Sequence, residues 1–135
     1  MALTGTWHGT YAYDSPLMPE QVGFSIEIEE LESGRFQGQV QDGEGGHPMA
    51  GRIEGKSQGS NIEFVKTMPA TLFRLPGGSF ATQPGKAQMI HYRGLSEEPN
   101  TFKGTWTLRG RFVFFRCIPT IAWTSHGTWR MWRVS

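Results

Sequence analysis

The sequence predicts an all-β fold, a single antiparallel up-and-down barrel of about eight strands over residues 1–135. Three observations predict it. Apolar and polar residues alternate over short stretches, as where Phe24, Ile26 and Ile28 are separated by Ser25 and Glu27, giving one buried and one wet face. Eighteen Gly and eight Pro supply turns at close intervals. Aromatic residues make up 13% of the chain, and large rings both favour strands and fill a barrel interior. Convincing helical periods are absent: the acidic run Glu27 to Glu32 keeps period two through Ile26 and Ile28.

Taken in order, strands are expected at 3–13, 21–31, 35–42, 50–56, 61–67, 86–94, 101–109 and 126–134. Three connections are tight and carry Gly, Ser or Asn: Glu32-Ser33-Gly34, Ser57 to Ser60, and Leu95 to Asn100. The other four, at 14–20, 43–49, 68–85 and 110–125, are long. In an up-and-down order these four gather at one end, which reads as the mouth. Both termini and the tight turns fall at the opposite, closed end. The last long connection contains Arg111-Phe112-Val113-Phe114-Phe115-Arg116, too apolar for an ordinary exposed loop, and Leu72-Phe73-Arg74-Leu75 is a shorter version. Either they form a lid or interface through Phe112, Phe114 and Phe115, or they are extra strands, making nine or ten. A full strand at 111–117 would reverse the last strand and weaken the assignment of the mouth.

Parity along each strand names the lining. Trp7, Gly9, Tyr11, Tyr13, Phe24, Ile26, Ile28, Phe36, Val40, Ile53, Ile62, Phe64, Ile90, Tyr92, Phe102, Trp106, Leu108, Trp129 and Met131 point inward. So do two charges, Asp42 and Lys66, each at the mouth end of its strand. Inward charge needs a partner. The two therefore read as a pair that could orient a polar ligand group, or as strand-end residues that reach water. With Tyr11, Tyr13, Tyr92 and Trp106 they form the candidate ligand site. Trp132 has outward parity and, beside Val134, reads either as a homodimer surface or as packing against a loop. An apolar residue two places before a Gly recurs (Phe36-Gln37-Gly38, Ile53-Glu54-Gly55, Tyr92-Arg93-Gly94, Phe102-Lys103-Gly104), and Gly-Thr-Trp occurs at 5–7, 104–106 and 127–129. Inward Gly relieves crowding in a closing sheet.

Composition narrows the function classes. Thirteen basic residues against twelve acidic ones, a formal charge of +1, form no basic stripe, so no nucleic-acid partner is expected. No apolar run reaches the roughly 20 residues of a spanning helix. The single Cys117 rules out an internal disulfide framework and reads as a buried thiol. Nothing at the N-terminus resembles a signal peptide, and a cytoplasmic location is expected. No metal is expected: His8, His47, His91, His126, Asp42 and Cys117 have no metal-ligand spacing, and His8 and His91 have outward parity. Gly43-Glu44-Gly45-Gly46 and Pro76-Gly77-Gly78 lack the context of a phosphate loop.

Gly5-Thr6-Trp7 on the first strand, with arginines late in the chain, resembles the calycin group of lipocalins, fatty-acid-binding proteins and avidins. The resemblance implies a lipocalin-like barrel in which Trp7 packs at the closed end beneath an Arg. Arg133 is the match by parity and Arg130 the alternative; such a pair is a cation–π contact. The pattern departs from secretory lipocalins in lacking signal peptide and disulfides, from fatty-acid-binding proteins in lacking the helical lid, and from avidins in lacking the biotin-binding polar set. Gly5-Thr6-Trp7-His8-Gly9 also resembles the opening of haem-binding nitrobindins, with His126 only a loose counterpart of their ligand. No cofactor is expected, haem being the lesser alternative.

Three function classes follow. The first is a barrel binding a small apolar or amphipathic ligand. The second is a non-catalytic, homo-oligomeric interaction or structural domain with a filled barrel. The third is a small enzyme using the polar mouth residues, although no catalytic residue can be named.

Overall fold

A computed structural model describes residues 3–14, 21–43, 47, 49–74, 80–109, 111–115, 118–122 and 124–135, with side chains described outside 71–74, 80–86, 111–115 and 118–122. The strands are β1 (Gly5–Tyr13), β2 (Gln21–Glu30), β3 (Arg35–Asp42), β4 (Gly51–Gln58), β5 (Asn61–Arg74), β6 (Phe80–Glu98), β7 (Thr101–Leu108), β8 (Arg111–Phe115), β9 (Ile118–Ala122) and β10 (Ser125–Arg133). Eight of them close into a barrel in the order β1-β10-β7-β6-β5-β4-β3-β2, every neighbour antiparallel. The expected all-β, up-and-down barrel is thus the observed architecture.

The expected strands map one to one onto the eight barrel strands, because their alternation is strict. On β2 the even-numbered Val22, Phe24, Ile26 and Ile28 are buried and their neighbours are not. The extra strands are β8 and β9, which pair only with each other, Phe112 facing Ile121 and Phe114 facing Pro119. A hairpin adds two strands rather than one, so β10 keeps its direction and the mouth stays at the expected end.

The connection expected as a loop over 68–85 is instead mostly ladder. Beyond Thr67, β5 has no further pairing to β4, yet its pairing with β6 resumes from Ala70 opposite Pro84 to Arg74 opposite Phe80. The result is a two-stranded ribbon leaving the rim, with a register shift between Met68 and Ala70. Pro69, exposed within that shift, has no N–H to give a ladder, and a bulge is where a sheet tolerates it.

The lumen is packed with rings through its closed half. Trp7 meets Phe102 at 5.7 Å, Phe64 stacks on Tyr92 at 4.7 Å, and Trp129 stands edge-on to Phe64 at 5.4 Å. Two of the Gly-Thr-Trp triplets explain how so many rings fit. In register, Gly104 faces Trp129 and Gly127 faces Trp106, with Thr105 opposite Thr128 between them. Trp129 donates its indole N–H to Thr105 O at 3.0 Å, and Trp106 donates to Thr128 O at 3.2 Å. Each triplet is therefore the seat of the other's ring. A Cβ on Gly127 would strike the Trp106 ring and the Ala12 carbonyl.

Candidate functional site

The third triplet builds the closed end. Trp7 is fully buried and donates its indole N–H to Leu3 O at 2.9 Å. The Arg133 guanidinium lies 5.0 Å from its ring centre, donating to Thr4 O at 2.6 Å and to Asn100 Oδ1 at 3.1 Å. Arg130, the alternative partner, instead covers the half-buried Trp132 on the outer wall at 5.2 Å. Backbone bonds from Thr6 N to Ser135 O (3.0 Å) and from Val134 N to Thr6 O (2.8 Å) tie the two ends of the chain together here.

The mouth carries the polar chemistry. Asp42 ends β3 and Lys66 lies on β5, on opposite sides of β4, and both side chains point inward. They meet at 2.7 Å with side chains 1% and 3% exposed, so they are not strand-end residues reaching water. The second Asp42 oxygen accepts from Tyr11 OH at 3.0 Å and from His47 N–H at 3.1 Å. The Lys66 ammonium lies over the Tyr11 ring at 4.9 Å and the Tyr92 ring at 5.8 Å. Such contacts strengthen when desolvated. Trp106 stands edge-on to Tyr11 at 5.9 Å and to half-buried Tyr13 at 4.9 Å. All six residues expected to form the site are therefore brought together.

The chain has three tyrosines, and all three are in this cluster. Burial pushes the Tyr11 phenol far above its ordinary range, reinforced by Asp42 and the neighbouring phenols. Tyr92 is raised by burial and then by Asp42. Tyr13 is also raised, by burial and by Tyr92, with Lys66 pulling the other way. All three therefore remain neutral hydrogen-bond donors at ordinary pH.

His47 is the site residue that sequence reasoning missed as a structural partner. It is 3% exposed. Its Nδ1 accepts from Met49 N–H at 3.1 Å, which leaves Nε2 as the donor to Ala70 O at 2.7 Å. The ring thereby fastens the β3–β4 connection to the base of the β5–β6 ribbon. Its setting among glycines gives no periodicity from which this could be read.

The remaining candidates are dispersed. His126, the loose haem counterpart, is exposed and 3.4 Å from Asp14; His8 and His91 are exposed, as their parity indicates. Phe112, Phe114 and Phe115 lie on β8, but their side chains, like Cys117, fall outside the described residues. Two grooves, of about 740 and about 540 Å³, run along the outer wall, lined by outward residues such as Lys56, Glu63 and Arg93, and Thr10, Lys103 and Arg130. Neither is the lumen.

Comparison with protein-family models, with curated proteins and with solved structures gives no match for this chain. Among the described residues, no helix is long and apolar enough to cross a membrane.

Proposed function

We propose that this protein is a calycin-type barrel that holds one small, largely apolar ligand at its mouth, above Trp106 and Tyr92 and beside Tyr13. One observation carries the reading: a sealed ion pair, Asp42–Lys66, sits at the level where the ring-packed lumen gives way to the half-buried Tyr13. Barrels of this size either fill completely or hold one small ligand. Here rings fill the lumen up to the level of Tyr11 and Trp106, so the ligand site lies at the rim beside Tyr13. The Trp7–Arg133 clamp at the opposite end supports the calycin comparison. Since both Asp42 oxygens are engaged, Asp42 is not available as a general base, which favours binding over the enzymatic alternative.

The test is titration of freshly purified protein with ethylnaphthalene, followed by calorimetry and by backbone amide NMR shifts. Saturable binding of one equivalent, with shifts concentrated at Tyr13, Tyr92 and Trp106, is expected. No binding, with no small molecule co-purifying in a native mass spectrum, would sink the reading. The packed lumen favours a second reading, an interaction domain that uses its outer wall, where Leu95 and Val134 are exposed. A stable homodimer in the same native spectrum, with an empty mouth, would select it.

A further inference from the structure

Three hydrogen-bonding groups in the mouth cluster are not used up by the protein. Both Asp42 oxygens are engaged: one takes Lys66, the other takes Tyr11 OH and His47 N–H. The Lys66 ammonium has three N–H groups, one directed to Asp42 while the Tyr11 and Tyr92 ring faces lie against it. Among the described residues, neither the Tyr13 nor the Tyr92 hydroxyl has a hydrogen-bond partner. Tyr92 is only 4% exposed. Yet no side-chain oxygen or nitrogen among the described residues is both sealed and unpartnered, so the Tyr92 hydroxyl keeps a little accessible surface. A largely buried phenol whose donor is unused and still accessible is placed to serve an incoming acceptor.

The charge balance then selects that acceptor. Lys66 and Asp42 cancel, and the other members of the cluster, Tyr11, Tyr13, Tyr92 and the His47 ring held as a neutral acceptor and donor, add no charge. An incoming carboxylate or phosphate would leave a net negative charge in a desolvated site, whereas a neutral oxygen accepts the same donors without that penalty. The phenols are held in their protonated form by burial, so they donate.

Resting on the ligand-binding reading above, we propose that the ligand's buried group is an uncharged carbonyl oxygen, received by the Tyr13 and Tyr92 hydroxyls with Lys66 behind them. The ligand class is thus a ketone or similar neutral carbonyl compound on a flat apolar body. That body lies against the Tyr13–Trp106 rings.

Three probes of one skeleton separate the possibilities by calorimetry: acetylnaphthalene, naphthoate and ethylnaphthalene. The ketone is expected to bind at least about tenfold tighter than the hydrocarbon, the gain of one net hydrogen bond, with naphthoate no tighter than the hydrocarbon. Tyr13→Phe and Tyr92→Phe, which remove only the hydroxyl oxygens, should each lower the ratio of ketone to ethylnaphthalene affinity toward one. Equal affinity for ketone and hydrocarbon overturns the carbonyl assignment while leaving the binding site standing. Tightest binding of naphthoate overturns it in favour of an anionic ligand. Failure of all three probes overturns the binding reading itself, and the assignment with it.

Discussion

The two ends of this barrel each hold a cation against aromatic rings, and they do so in opposite ways. At the closed end Arg133 lies over Trp7 but stays half-exposed, and its charge is met by a backbone carbonyl and an amide oxygen. At the mouth Lys66 is sealed, and a full negative charge from Asp42 is needed to hold it there. Depth explains the difference. A guanidinium at the rim keeps part of its hydration, whereas an ammonium in the lumen has lost its hydration and must be paired. The closed end is a fastening, and the mouth is a desolvated polar site whose own bonds leave donors over.

Raising the pH should separate the ends most strongly. All three tyrosines are at the mouth and all three phenols are raised. In the unfolded chain they ionise near about pH 10; in the fold they resist. The stability they contribute is therefore complete below that pH and lost as pH rises through the folded values. We expect the near-ultraviolet phenolate band to appear together with loss of far-ultraviolet dichroism, as one cooperative alkaline unfolding. A tyrosine that titrates at its ordinary value while the fold persists would contradict the site's geometry.

Next in size is the ion pair. Lys66→Met or Asp42→Ala leaves one buried charge alone, and a loss of about 3–5 kcal/mol is expected in denaturant unfolding. The combined Asp42→Asn, Lys66→Met variant should be more stable than the worse single variant. If the singles cost no more than a surface pair such as Lys56–Glu63, whose side chains are 63% and 49% exposed, the contrast between the ends fails. Gly127→Ala tests the ring seat between them: overpacking Trp106 should cost about 1–3 kcal/mol, seen as a lower midpoint with an unchanged denaturant slope. The smallest effect is expected at the closed end, where Arg133→Met should cost about 1–2 kcal/mol. Its retained apolar stem should keep Trp7 covered, leaving ethylnaphthalene binding at the mouth unaffected.

How much of this was legible follows from which residues obey a period. The barrel strands could be read because alternation with a buried face specifies both strand and register. The same parity put Asp42 and Lys66 in the lumen and preferred Arg133 to Arg130 for Trp7. The β5–β6 ribbon was hidden by Pro69 and Pro84, which read as strand breakers but sit in or just beyond the register shift. The β8–β9 hairpin could be offered only as extra strands or a lid, because a continuous apolar run has no period to read. The Gly-Thr-Trp repetition was visible, but its meaning was not: two copies seat one another's rings only once β7 and β10 are paired. His47 could not have been found, because its partners, Ala70 and Met49, reach it through backbone atoms that no residue type announces.

The pairing of β1 with β10 also has a kinetic consequence. Six of the other strand pairs of the barrel join strands adjacent in sequence, and β7 meets β10 across only the inserted hairpin. The last seam, however, joins residues such as Trp7 and Arg133 across nearly the whole chain. Until β10 has been synthesised, β1 and β7 both present open edges, and each is a template for another chain. Closure of so distant a contact is slow relative to hairpin formation. The period between translation of β7 and docking of β10 is therefore when this protein is most exposed to aggregation.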